Sequence, residues 1–236
     1  MPQATIITSN TTLLKSDTNL AITASWFEPD FWQQQQALAG TGSGRGEVWF
    51  INSQFGRFVM RRYRRGGLIA KLNKRHFLFT GLKQTRPWLE LSLLEHMRSL
   101  DLPVPRPIGG IYTREKGFYQ AELLTETIDK AQDLFELIKA GNSGQLNWQE
   151  IGQVIKKFHD KGIYHSDLNC HNIMIDHANK VWVIDFDKCE QRTKNEKWMQ
   201  ANIDRFKRSL DKESTLHSQF NVSDAQWRAF LEGYRG

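Results

Sequence analysis

Between Val48 and Leu89 the chain has no Asp or Glu, yet it carries ten Lys or Arg, four of them in "RRYRR" at Arg61, Arg62, Arg64 and Arg65. A solvated face ordinarily mixes signs. A one-signed block this long sets up a persistent positive field that favours anionic ligands: phosphates, acidic sugars, anionic lipid headgroups or nucleic acid. Pairing of these cations with acids from elsewhere in the fold is the plainer reading and stays open beside it. Cysteine is scarce as well. Cys170 and Cys189 are too few for a disulfide framework, which points to a reducing compartment, and burial as small hydrophobes is their simplest role. No apolar run approaches the roughly 18 residues that a membrane span needs. The opening stretch, MPQATIITSNTTLLK, lacks a basic segment followed by an apolar one, so no signal peptide is expected. Repeats and low-complexity tracts are absent too, apart from the four Gln at 33–36.

What is present fits a soluble globular protein. With 236 residues, 39% of them apolar and 25% charged, the chain can build a proper core in one large domain or two lobes. Residues 27–39 read as a short helix with Pro29 in its first turn. "GTGSGRG" follows, with glycines at 40, 42, 44 and 46, and then "EVWFI" and "RFVMRRY" as two strands around the turn "NSQFG". From Arg86 a helical stripe appears, Trp88, Leu91, Leu94, Met97 and Leu100, which stops before "LPVPRP". Further strands are expected over 108–112 and 118–124. The second half changes character. Residues 131–141 read as helix. So does "NWQEIGQVIKKFHDKG", with Asn147 as N-cap, Glu150 at the capping-box position, Gly162 past the end, and an apolar stripe of Trp148, Ile151, Val154, Ile155 and Phe158. "NIMID" and "VWVID" are two short strands around "HANK", and charge-rich helix follows from about Glu196. A mostly β first half, a connector near 122–126 and a mostly α second half suggest two lobes, 1–124 and 125–236, with a cleft between them. Trp148, Phe158 and Trp182 are expected in the core.

"YHSDLNCHNIMID", residues 164–176, crowds two His, two Asp, two Asn and a Cys between a helix and a strand. Such a stretch can be an ordinary loop, a metal site or a catalytic loop. Zinc is the weakest of these readings: His165, Cys170 and His171 are present, but no CxxC or HxxxH pairing completes a tetrahedral set. Asp185, in "IDFDK", lies thirteen residues beyond Asn172, at the end of the second short strand. Asn172 and Asp185 are hard oxygen donors suited to Mg²⁺, which takes a few protein oxygens and completes its shell with water and phosphate. Asp167, set back from both, is placed to accept a proton from an attacking hydroxyl. Phosphoryl transfer needs these parts together with cationic support. His165 and His171 are read as holding the loop's shape and Cys170 as uninvolved in chemistry.

"HSDLNCHN" at 165–172 resembles the catalytic loop H-x-D-L-x-x-x-N of protein-kinase-like enzymes, and "DFD" at 185–187 resembles their D-F-G. Within that superfamily the chain is most similar to the lipopolysaccharide-core kinases, and among them to the 3-deoxy-D-manno-octulosonic acid (Kdo) kinases. The narrower likeness rests on "VMRRYRRGGL", "WLELSLLEHMRSLDLPVPRPIGG", "VWVIDFDKC" and "NIDRFKRSL". The resemblance implies an α+β, protein-kinase-like, two-lobed fold with a β-rich N-lobe and a reduced, mostly helical C-lobe. It implies ATP and Mg²⁺, with Asp167 as catalytic base and Asn172 and Asp185 as metal ligands. It also implies that Glu122 and Leu124, in "AELL", offer backbone groups to adenine, and that Glu90 is the helix acid pairing with the strand cation.

The chain departs from the pattern in three places. The usual strand lysine is missing, and Arg61 in "FVMRR" stands there; Arg62 ranks second because it points to the opposite strand face. The glycines do not match G-x-G-x-x-G, so a phosphate-covering role for Gly42 and Gly44 rests on position alone. Asp187 replaces the glycine of D-F-G. Fifty-one residues follow Asp185 without an A-P-E motif, leaving little room for a peptide-docking platform. A small or lipid-linked acceptor is expected: the resemblance implies the 4-hydroxyl of Kdo on the lipid A precursor. The enzyme would then be a peripheral protein on the anionic cytoplasmic face of the bacterial inner membrane. A heptose kinase of the same core, an atypical Ser/Thr protein kinase, and a silent binder of anionic surfaces or nucleic acid remain as alternatives. Tyr63, His76, Phe77 and Phe79 are available as aromatic support for nucleic acid, which is not expected as a partner.

Overall fold

The structure is a computed structural model that describes residues 1–16, 18–42, 48–64 and 75–236. It divides into two compact units, Met1–His96 with Arg106–Thr127, and Met97–Pro105 with Ile128–Gly236. The proline-rich stretch before Arg106 therefore groups with the second unit.

The first unit is built on an antiparallel sheet. Its elements are β1 (Gln3–Ile6), β2 (Thr11–Lys15), α1 (Pro29–Gln34), β3 (Leu38–Thr41), β4 (Val48–Ser53), β5 (Gly56–Arg62), β6 (Phe77–Leu78), α2 (Arg86–Ser99) up to His96, β7 (Pro107–Glu115) and β8 (Phe118–Glu126). The strands run in the order β1-β2-β7-β8-β5-β4-β3, with β6 also on β8. At the β7–β8 turn Glu115 faces Phe118, and the two residues between them, Lys116 and Gly117, both take positive φ (47° and 80°). Two-residue hairpins favour that pair of left-handed positions because it matches strand twist. The core on one sheet face gathers Trp26, Phe27, Trp32, Phe58, Met60 and Leu124 with smaller apolar side chains. The helix expected over 27–39 is shorter. It stops at Gln34, where Gln36 turns left-handed (φ 54°) and frees the chain to enter β3. β1 and β2 were not anticipated.

The second unit contains β9 (Gln132–Asp133), α3 (Leu134–Lys139), α4 (Trp148–Asp160), β10 (Ile163–Tyr164), β11 (Ile173–Ile175), β12 (Val181–Val183), β13 (Glu190–Gln191), α5 (Glu196–Leu216) and α6 (Asp224–Arg235). The helix expected over 131–141 loses its first turn, because Gln132 and Asp133 pair with β11 and the Asp133 carboxylate then caps α3 by accepting from Glu136 N. α4 follows its sequence signals: Asn147 Oδ1 accepts from Glu150 N, and all five residues of the expected stripe are buried. Beside that stripe, α4 meets α6 at a glycine on each helix. A Cβ on Gly152 would come within 2.1 Å of Phe230 O, and one on Gly233 within 2.0 Å of Gln149 O, so only glycine lets these backbones touch. Trp182 is not core. On β12, Val181 and Val183 turn inward and Trp182 faces out, donating to Asp176 Oδ2 at 2.9 Å with Lys180 over its ring.

Candidate active site

The loop 164–172 is held from three directions. α4 and β10 lead into it, β11 leaves it, and α5 runs beside it. The β11–β12 ladder pairs Ile173 with Val183 and is extended by Ile184 N donating to Asn172 O at 3.0 Å. That one added bond ties the Asn172 backbone to the residue before Asp185. The Asn172 side chain is buried, and its Nδ2 donates to Asp167 O at 3.0 Å. With the nitrogen committed, Oδ1 is left as the acceptor of this side chain. Asp185 has φ 62°, a left-handed conformation that side chains other than glycine rarely take and that Asp tolerates better than most. Such positions persist where the surroundings over-determine them, and they cluster at functional sites.

His165 is the element that over-determines this one. Its ring is buried and stacks edge-on against Phe186. Nε2 lies 3.0 Å from Ile184 O and Nδ1 3.2 Å from Asp167 N. A carbonyl only accepts and an amide only donates, so the ring is neutral with its proton on Nε2. Burial holds its pKa below the ordinary histidine value, against the opposing pull of the Ile184 carbonyl and the Asp185 and Asp167 charges. His165 thus ties the loop's aspartate to the residue that precedes Asp185. Burial likewise pushes the Cys170 thiol up to about 12, which keeps it an unreactive hydrophobe.

α5 presents a polar stripe to the same loop at helical spacing. Asn202 receives His165 N on Oδ1 and donates from Nδ2 to His165 O; Arg205 pairs with Asp167; Ser209 Oγ accepts from Cys170 N; Glu213 lies 3.5 Å from His171 Nε2. Behind Asn202, His159 Nε2 donates to Asn202 Oδ1 at 3.3 Å and Nδ1 lies 2.7 Å from the Tyr234 hydroxyl. Burial lowers the His159 pKa to about 4. Sequence reading missed Arg205. The signal was the spacing Asn202, Arg205, Ser209, Glu213, which places four polar residues on one face of a helix.

In the first unit, Arg61 and Glu90 are brought together. Arg61 Nη2 lies 2.7 Å from Glu90 Oε1 and 2.8 Å from Oε2, and Tyr63 O–H donates to Oε2 at 2.7 Å. Glu90 and Tyr63 are buried (4% and 1% exposed), while the Arg61 side chain keeps 23% exposure. Arg62 turns the other way, donating from Nε to Glu122 at 2.7 Å with its guanidinium over Trp49. Burial raises the Glu122 pKa and the Arg62 charge opposes the rise.

Two expectations require correction or fall elsewhere. Glu122 and Leu124 do not offer backbone groups to a ligand. They sit in the middle of β8, with Arg62 and Met60 of β5 on one side and Ile111 and Gly109 of β7 on the other, so the ladders consume those groups. The ladder-like bonds run on through Glu126 N to Arg106 O and Thr127 N to Arg57 O, and only the chain beyond is released. Gly42 N donates to Val48 O and so continues the β3–β4 pairing, whereas Gly44 lies outside the described residues.

The family model for "Lipopolysaccharide kinase (Kdo/WaaP) family" matches residues 29–234. The chain belongs to that family. A 3-deoxy-D-manno-octulosonic acid kinase of Vibrio vulnificus is 41% identical over 208 residues, spanning 88% of this chain and 87% of its own. One from Mannheimia succiniciproducens is 41% identical over 231 residues, spanning 94% and 95%. A solved structure of WaaP in complex with acyl carrier protein aligns with a TM-score of 0.58 at 11% identity, covering 94% of this chain and 88% of that one, a likeness of fold. As a lipopolysaccharide kinase the chain is a phosphotransferase, with the β-rich first unit and mostly helical second unit of that architecture. Among the described residues no helix is long and apolar enough to cross a membrane.

Proposed function

We propose that this lipopolysaccharide kinase transfers the γ-phosphate of ATP to the 4-hydroxyl of Kdo on the lipid A precursor, acting as a peripheral protein at the cytoplasmic face of the inner membrane. What supports the reading is that one ladder bond and one histidine tie the loop of Asp167 and Asn172 to the residue before Asp185. Both curated relatives named above support Kdo as the acceptor.

Asp167 orients the hydroxyl and takes its proton as the oxygen attacks phosphorus. Asn172 Oδ1 and Asp185 suit Mg²⁺: both are hard oxygens, and the Asn172 amide is already turned by its bond to Asp167 O. Mg²⁺ bound by these two residues would neutralise charge on the phosphates. Arg61, kept extended by Glu90, supplies a fixed cation for the nucleotide phosphates. Adenine takes its backbone hydrogen bonds from the chain beyond Thr127, where the β8 ladders end. The basic block between Val48 and Leu89 suits the phosphorylated lipid and the anionic membrane surface.

The test is incubation with ATP, Mg²⁺ and Kdo-bearing lipid A precursor, with mass detection of one added phosphate. A matched heptose-bearing core and a generic protein serve as competing acceptors. Phosphate on Kdo alone, lost in Asp167→Ala, is the expected result. Turnover that survives Asp167→Ala unchanged refutes the mechanism, and phosphate on heptose instead refutes the substrate.

A further inference from the structure

Of the four α5 residues that meet the loop, three are committed to holding it. Asn202 and Glu213 are buried, and Ser209 is spent on a backbone amide. Arg205 differs: its side chain is 46% exposed and its partner Asp167 54%. Both its Nε and its Nη2 converge on the single oxygen Oδ1 of Asp167. Oδ2 makes no hydrogen bond among the described residues. A helix-borne guanidinium therefore stands in solvent beside the carboxylate that receives the acceptor hydroxyl, and a pair so exposed is held weakly.

We propose that Arg205 binds the carboxylate of the acceptor sugar, giving up Asp167 for it as the acceptor enters. The inference rests on the reading of the acceptor as Kdo. In that acid the carboxylate and the 4-hydroxyl are carried on the two carbons that flank the deoxy position. A group already touching Asp167 is then within reach of the carboxylate when the hydroxyl is presented to Asp167. The guanidinium fork matches a carboxylate in two-pronged fashion, which an ammonium does not. The exchange swaps one carboxylate for another, so the cation is never left without an anion, and Oδ1 is released where the hydroxyl proton must go. A neutral heptose offers no such replacement. Arg205 therefore selects the acid sugar as well as holding it.

The test compares Kdo-bearing lipid A precursor with the same acceptor carrying a methyl ester on the Kdo carboxyl, using wild type, Arg205→Lys and Arg205→Ala. Losing a charge-assisted bond corresponds to a rise of about 10- to 100-fold in KM for the acceptor. That rise is expected in wild type on going from acid to ester, and in Arg205→Ala with the acid. The KM for ATP stays unchanged. Combining variant and ester adds less than about 3-fold, because the second change removes nothing that remains. Arg205→Lys, which keeps the charge, recovers part of the loss with the acid only, and it decides the matter if Arg205→Ala does not fold. Equal losses on acid and ester, or a fall in kcat with the acceptor KM unchanged, mark Arg205 as a brace for Asp167 and overturn the proposal. Wild type that phosphorylates neither Kdo acceptor overturns the substrate reading itself, and the proposal with it. That outcome is distinguishable because it needs no variant.

Discussion

Each unit holds an arginine against a carboxylate, and the two pairs are built to opposite ends. In the first, Glu90 is almost fully enclosed, shares its oxygens between Arg61 and the Tyr63 hydroxyl, and presents the guanidinium at a fixed place on β5. In the second, Arg205 and Asp167 meet in solvent with about half of each side chain exposed. A buried pair is costly to form and more costly to break, since removing one partner strands the other in a poor solvent. An exposed pair costs little either way. The chemistry is the same, and burial alone decides whether the pair is a fixture or an exchangeable contact. A cation meant for phosphates that always arrive in one place suits the first arrangement. A base that must release its partner to receive a hydroxyl suits the second.

The comparison breaks most sharply at Glu90. Glu90→Ala removes the buried carboxylate that Arg61 and the Tyr63 hydroxyl share, and a loss of about 3–5 kcal/mol in unfolding free energy is expected from denaturant titration. A loss below about 1 kcal/mol would show that the two pairs do not differ in kind. Next is a buried group in the same unit as the exposed pair. His159 is neutral in the fold with its pKa lowered to about 4, against an ordinary value of 6.5. Between those values the unfolded chain binds a proton that the folded chain refuses, so stability is fully present above pH 6.5 and falls as pH drops towards 4. The fall amounts to ~3 kcal/mol. The depressed pKa of His165 adds in the same direction, so His159→Gln should flatten this slope in part; an unchanged slope would remove His159 as its source. The smallest effect is at the exposed pair. Arg205→Ala should change the unfolding free energy by about 1 kcal/mol or less. A larger cost would mean that the pair supports the fold, as the buried pair does.

Much of this was legible in the residues because it depended on local periodicity. The β4–β5 hairpin, the stripe of α4, its Asn147 cap and the order Asp167, Asn172, Asp185 all follow from spacings of a few residues. What escaped depended on contacts distant in sequence. β1 shows four exposed residues and no alternation, and it is a strand only because β2 pairs with it. Glu122 and Leu124 look like a connector by composition, yet β5 and β7 flank them on both sides. Trp182 reads as core by hydrophobicity, but strand alternation places it outside. Arg205 is one of several cations on a charged helix, and only the fold singles it out by setting it against a loop thirty-eight residues earlier.

The α5 stripe also says where this chain tolerates a change of length. Asn202, Arg205, Ser209 and Glu213 each meet a successive part of the loop, and an α-helix turns by about 100° per residue. One residue gained or lost between Asn202 and Glu213 would swing part of the stripe away from its partners at a stroke. Insertions between Glu190 and Asn195, or between His217 and Ser223, leave that phase intact. Natural variation in chain length should therefore collect at the two ends of α5 and be missing from its middle.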